Sequence, residues 1–287
     1  MKYMIIFLFF LSIVSCNELE QQAIKHDIVD APINSTIVQT NGQTISTRFS
    51  PPKGYTRKVV ASNSYTAFLR NIELKPHGTL VHLYNGSEKH NKVADAVFRF
   101  DVGKSDLQQC ADAVMRIRSE YLFNQKQYDA IHFNFTNGFR ADYKRWQIGE
   151  RIVVKVNTCS WVKKAKTDLS YETFRNYLDM VYSYAGSLSL SKELQPVADL
   201  QSIEAGDVFI IGGSPGHAVT VMDIAINKAG EKVFMLSQSY MPAQDIHVLK
   251  NLNNLDISPW YKVEDIKDVL ETPEYTFEPN NLMRFKN

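Results

Sequence analysis

Apolar residues recur at helical spacing along Leu107, Cys110, Ala111, Val114, Ile117 and Tyr121, which predicts one buried helical face. Ser105 or Asp106 is the expected N-cap, and the helix is expected to run through Gln125. Before it, residues 93–102 ("VADAVFRFDV") alternate as a strand does. After it, Ile131, Phe133 and Phe135 alternate with His132, Asn134 and Thr136, the pattern of a half-buried strand. A strand over residues 151–156 and an aromatic-rich helix over residues 170–186 follow. Strands are then expected at 207–211, 217–226 and 232–239, the last two joined by an Asn-Lys-Ala-Gly turn. Helices early and in the middle, with antiparallel strands late, predict an α+β fold with helices packed on a mainly antiparallel sheet.

The segment "GDVFIIGGSPGHAVTVMD" (206–223) raises the sharpest question. His217 stands where a glycine-rich turn hands over to an apolar strand, as a catalytic base at a sheet rim or as a plain turn residue. If Ile226 pairs with Glu231 across the following turn, paired residue numbers sum to 457 and His217 lies opposite Tyr240. Gln238 then shares a face with His217, because side chains alternate with period two. A one-residue slip moves Gln238 to the other face.

The termini set the expected organisation. Lys2 precedes an apolar core too short to span a bilayer, which takes roughly 20 apolar residues, and Ile13-Val14-Ser15-Cys16 has the form of a lipoprotein cleavage box. Residues 1–15 are therefore expected to be a signal peptide, with Cys16 as lipid attachment point. An ordinary secretory peptide is the plainer alternative. Residues 16–50 read as tether and N-terminal arm, and Pro51-Pro52 with Gly54 opens a single globular domain over 51–287. With 32 basic and 31 acidic residues and no basic stripe, nucleic acid is not expected as a partner.

Most chemistries lack their motif. There is no Cys-x-x-Cys, no His-Glu-x-x-His and no Walker loop, so no metal site and no cofactor is expected. His77 and His82 read as surface or turn histidines, and Ser214 as a turn residue. Cys110 and Cys159 form a disulfide in an oxidising compartment, or stay free. A free Cys110 near a helix start, with His217 as base and Gln238 holding the ring, makes a candidate nucleophilic triad. Gln108 and Gln109 are the candidate oxyanion donors. The opposing reading puts Cys110 in the apolar core, where free cysteine is common.

The stretches "DLQQCADAVMRIRSEYL", "FTNGFRADY", "YAGSLSL", "GGSPGHAV" and "QSYMPAQDIHVL…SPWY" resemble the exported bacterial family known as domain of unknown function 4846. That family implies no activity. The order of a Cys-bearing helix, a "GDVF" strand, a His-led strand and a polar residue on the next strand is similar to papain-like cell-wall hydrolases of the NlpC and CHAP type. That similarity implies Cys110 as nucleophile, His217 as base and Gln238 as orienting residue. The chain departs from it in lacking Asp/Asn before and Ser/Gly after the cysteine, and in the long gap from Cys110 to the "GDVF" strand.

Two functions are consistent with these residues. One is a lipid-anchored cysteine amidase or peptidase acting on cell-envelope amide bonds, with cell-wall peptide as a candidate substrate. The other is a non-catalytic envelope lipoprotein that binds a peptide, glycan or protein in a hydrolase-like cleft through aromatic and arginine residues. They separate on whether the Cys110 sulfur and a His217 nitrogen meet within about 4 Å in an open cleft.

Overall fold

The computed structural model describes residues 36–286. The expected signal peptide, Cys16 and the first part of the tether lie outside the described residues. From Ile37 onward the arm belongs to the fold: Ile45 and Phe49, on and just after the short helix α1 (Ile45–Arg48), are fully buried.

Among the described residues the main sheet has nine strands. They are β1 (Tyr55–Arg57), β2 (Ala94–Val97), β3 (Gln195–Pro196), β4 (Val208–Ile211), β5 (His217–Asn227), β6 (Lys232–Gln238), β7 (His247–Leu249), β8 (Trp260–Lys262) and β9 (Leu282–Arg284). The order is β2-β7-β6-β5-β4-β9-β3, with β1 on the far end of β5 and β8 on the first half of β6. Every pairing is antiparallel. The expected α+β class is the one observed.

Helices cover one face of this sheet. They are α2 (Tyr65–Arg70), α3 (Cys110–Asn124), α4 (Tyr143–Gln147), α5 (Tyr171–Tyr182) and α6 (Ser187–Glu193). From α3, Ala111 and Val114 pack with Ala218, Val208 and Ile210, while Ala113 and Ile117 pack with Met222, Val233 and Met235. The opposite face carries Phe209, Val219, Val221, Phe234 and Leu236, covered by the C-terminal residues Val263, Leu270 and Phe277. Alternation along β5 and β6 thus feeds two apolar layers at once, and each fully buried large side chain contributes about 2–3 kcal/mol. The aromatic residues that sequence offers as contact surface are largely core: Phe174, Tyr177 and Trp260 are fully buried. Among the described residues no helix is long and apolar enough to cross a membrane.

The β5–β6 hairpin differs from its expected register in an instructive way. Next to the turn Ile226 pairs with Lys232, not Glu231, so paired numbers sum to 458 down to Asp223–Met235. A β-bulge at Met222 then shifts the pairing to Val221–Leu236 and Thr220–Ser237, a sum of 457. The bulge puts one unpaired residue into β5. Without it Gln238 would lie opposite Thr220 and on the helix-covered face. With it, Gln238 shares the face of His217.

The bulge has a second consequence. Met222 and Asp223 both turn toward the helix-covered layer, where Asp223 is fully buried. There Arg57 Nε donates to one of its carboxylate oxygens at 2.5 Å and Arg70 Nε to the other at 2.7 Å.

Candidate active site

Cys110 is the first residue of α3, not a residue of its second turn. Gln109 is the N-cap with extended backbone, and its N–H donates to Asp112 Oδ2 at 3.0 Å. The expected caps Ser105 and Asp106 serve the preceding loop instead: Asp106 Oδ1 accepts from Gln109 Nε2 and from the Ala243 amide. Cys110 therefore lies at the positive end of the helix dipole, about a turn closer to it than a start at Ser105 would place it. Ser239 Oγ, 2.9 Å from the carbonyl oxygens of Gln108 and Gln244, ties this helix start to the loop that leaves β6.

Cys110 and Cys159 are both free thiols, so the disulfide alternative does not hold. Cys159 sits on the hairpin of residues 150–163, where its sulfur is 3.3 Å from Asn137 Nδ2. Burial first, and then the nearby Asp112, push the Cys110 thiol up to about 11. The amide hydrogens of Ala111, Ala218 and Cys110 itself act the other way, by hydrogen bonding that favours the thiolate. Ala218 directly follows His217, so the sulfur rests against the strand that carries the histidine.

His217 is buried and its Nε2 lies 2.8 Å from Gln238 Oε1. Gln238 Nε2 in turn donates to Glu274 Oε2 at 2.7 Å and faces His247 Nε2 at 3.4 Å. A carboxylate only accepts, so the amide nitrogen must face Glu274 and the carbonyl must face His217. The His217 proton is therefore on Nε2, and Nδ1 carries the lone pair. His247 is the complementary tautomer, donating from Nδ1 to Asp245 O at 2.9 Å and accepting at Nε2. Burial lowers both rings to about 4, so both are neutral at pH 7.

Among the described residues Nδ1 of His217 makes no hydrogen bond, none joins the ring to the Cys110 thiol, and the ring is buried, so the nucleophile–base contact in an open cleft that separates the two functions is not formed in this structure. The ring is enclosed by Tyr240 and Tyr275, each with its centroid 4.9 Å away, and by Phe277 at 6.0 Å. Tyr240 also lies beneath the Lys89 ammonium, 5.1 Å from its ring centroid. Its phenol is pushed up by burial, then by Glu274, Cys110 and Tyr275.

The two oxyanion candidates part company. Gln109 spends its amide on Asp106 near the surface. Gln108 is buried: its Oε1 accepts from Arg116 at 3.0 Å, and its Nε2 is a buried donor with no partner. Arg116 is fixed by Glu120 at 2.6 Å. The Gly-rich turn before His217 serves packing. A Cβ on Gly216 would stand 2.5 Å from Gly213 O and 2.6 Å from Ser187 Oγ, and Ser187 itself bonds Gly213 O at 3.2 Å. His82 is half exposed, 3.8 Å from Asp245.

Sequence reasoning missed Glu274, Lys89, Asn91 and His247. Glu274 sits at the tip of a hairpin closed by Leu270–Phe277 pairing, and it accepts from Lys89 at 2.8 Å and Asn91 at 3.3 Å. Glu274, Lys89 and Asn91 lie on loops far from His217 in the chain, and only the period-two pairing of Gln238 with His217 left a signal to read. His247 was legible in principle, since β7 pairs it with Gln238.

The fold and site define an α+β protein whose helix-borne thiol rests against a His-led strand. The chain belongs to the family called domain of unknown function (4846), which matches residues 45–284. No curated protein and no solved structure matches it.

Proposed function

We propose that this protein is an exported cysteine hydrolase, anchored through lipid on Cys16, that cleaves amide bonds of cell-envelope material. The observation that carries the reading is the fixed Nε2–H tautomer of His217. It leaves Nδ1 as a free base on the residue beside Ala218, whose amide faces the Cys110 sulfur. The papain-like arrangement suggested by the sequence order supplies the same roles for Cys110, His217 and Gln238.

In the resting pair both groups are neutral, since the thiol is raised and the imidazole lowered. Nδ1 of His217 takes the thiol proton as sulfur bonds to the carbonyl carbon and the C=O π pair moves to oxygen. The Gln108 amide and the N–H of Cys110 at the helix start stabilise that oxyanion. Gln238, backed by Glu274, holds the transient imidazolium, which then passes its proton to the leaving amine as the C–N bond breaks. Water hydrolyses the thioester with His217 again as base.

A second reading, a non-catalytic envelope protein that binds a peptide, glycan or protein, is favoured by one observation: His217 is enclosed by aromatic rings. Incubation of the purified protein with short cell-wall peptides, followed by mass spectrometry, separates the two. The hydrolase reading expects amine release that Cys110→Ala abolishes. Binding without cleavage, unchanged in Cys110→Ala, supports the second reading and ends the first.

A further inference from the structure

We propose that Glu274 is a positioning residue that sets the tautomer of His217 through the side-chain amide of Gln238. Gln238 has two orientations of nearly identical shape, related by exchange of its carbonyl and amide ends. In one, Oε1 accepts from His217 Nε2–H. In the other, an N–H faces Nε2, and the ring is forced to carry its proton on Nδ1, where it no longer serves as a base toward sulfur. Glu274 decides between them. Its Oε2, 2.7 Å from Gln238 Nε2, would meet the amide carbonyl oxygen in the flipped orientation, lone pair against lone pair.

The carboxylate is itself held. Lys89 at 2.8 Å and Asn91 at 3.3 Å occupy Glu274 Oε1, which leaves Oε2 for Gln238. Burial opposes the charge on Glu274, but the hydrogen bond and charge of Lys89, with Asn91 and Gln238, outweigh it and lower its pKa. The second Gln238 hydrogen faces His247 Nε2 at 3.4 Å, which is free to accept because Nδ1 of that ring donates to Asp245 O. Each polar atom of the Gln238 side chain thus has its partner in one orientation only. The chain of control runs Lys89 and Asn91 to Glu274, to Gln238, to His217.

The statement about the ring stands by itself; its consequence for Cys110 rests on the hydrolase reading. Nitrogen-15 NMR of histidine-labelled protein reads the tautomer directly. The wild type is expected to show His217 protonated on Nε2 alone. Glu274→Ala is expected to give a mixture of tautomers, and Glu274→Gln, whose carbonyl can still accept from Gln238, to restore the wild-type signal. A wild-type ring protonated on Nδ1 overturns the proposal, as does a folded Glu274→Ala with an unchanged tautomer. If Glu274→Ala does not fold, the wild-type spectrum and Glu274→Gln still decide. An inert Cys110 beside a ring of the expected tautomer would sink the hydrolase reading and leave this one intact.

Discussion

His217 Nε2 and Gln238 Oε1 lie 2.8 Å apart, and the contact exists because one extra residue, Met222, bulges out of the strand that carries the histidine. Bulges re-aim side chains by breaking the period-two register. Here the bulge turns a pairing that would separate the two side chains into one that joins them, and it also presents Asp223 to its two arginines.

Replacing Gln238 by leucine keeps the volume and leaves three buried groups without partners: His217 Nε2–H, Glu274 Oε2 and His247 Nε2. An orphaned buried polar group costs about 1–3 kcal/mol. Gln238→Leu is therefore expected to lower unfolding stability by about 3 kcal/mol or more in chemical denaturation, at the lower end of that range for each of the three groups. A change below about 0.5 kcal/mol would contradict the network.

Acid should weaken the fold through the same residues. Folding lowers His217 and His247 from 6.5 to about 4, so between those values the unfolded chain binds protons that the folded chain refuses. The stability associated with the neutral rings is complete above pH 6.5 and is lost as pH falls toward 4. At about 1.4 kcal/mol per unit, each ring accounts for roughly 3 kcal/mol across that window. Proton NMR should show both rings neutral at pH 5.5; titration of either near 6.5 contradicts the expected burial.

Asp223 is a buried carboxylate between Arg57 and Arg70. Asp223→Ala leaves both guanidinium groups facing a buried void, and the expected loss is about 3–5 kcal/mol. Thermal unfolding of Asp223→Ala against Asp223→Asn, which keeps the volume, measures how much of that loss is charge.

Gly216→Ala tests the turn that delivers His217. The added methyl meets backbone oxygen of Gly213 at 2.5 Å and of Ile211 at 2.7 Å, so the turn must move. Overpacking of this kind costs about 1–3 kcal/mol. The displacement should reach His217 and appear as a shifted ring signal in the NMR spectrum.

Much of the fold was legible because its elements are strongly periodic. The α3 stripe of Ala111, Val114 and Ile117, the Ile131–Phe133–Phe135 alternation and the three late strands are buried as their spacing predicts. The helix start was misplaced because Ser105 and Asp106 have better capping chemistry than Gln109, and the side chain that completes the cap, Asp112, comes three residues later. The His217–Gln238 pairing came from hairpin arithmetic that was off by one at the turn and restored by a bulge no local pattern announces. Glu274 and Lys89 were invisible for another reason: charged loop residues carry no period, and only tertiary folding brings them to Gln238.

Whether His217 acts on the Cys110 thiol is read by thiol alkylation kinetics. Intact-mass measurement of iodoacetamide labelling, from pH 6 to pH 10 with Cys16→Ser and Cys159→Ser as background, reads Cys110 alone. Labelling at pH 7.5 is expected to be on the order of tenfold or more faster with His217 than in His217→Ala, since a positioned base contributes about 10²–10⁴-fold. Equal rates, both rising only as the thiol titrates near 11, would show a thiol that the histidine does not touch.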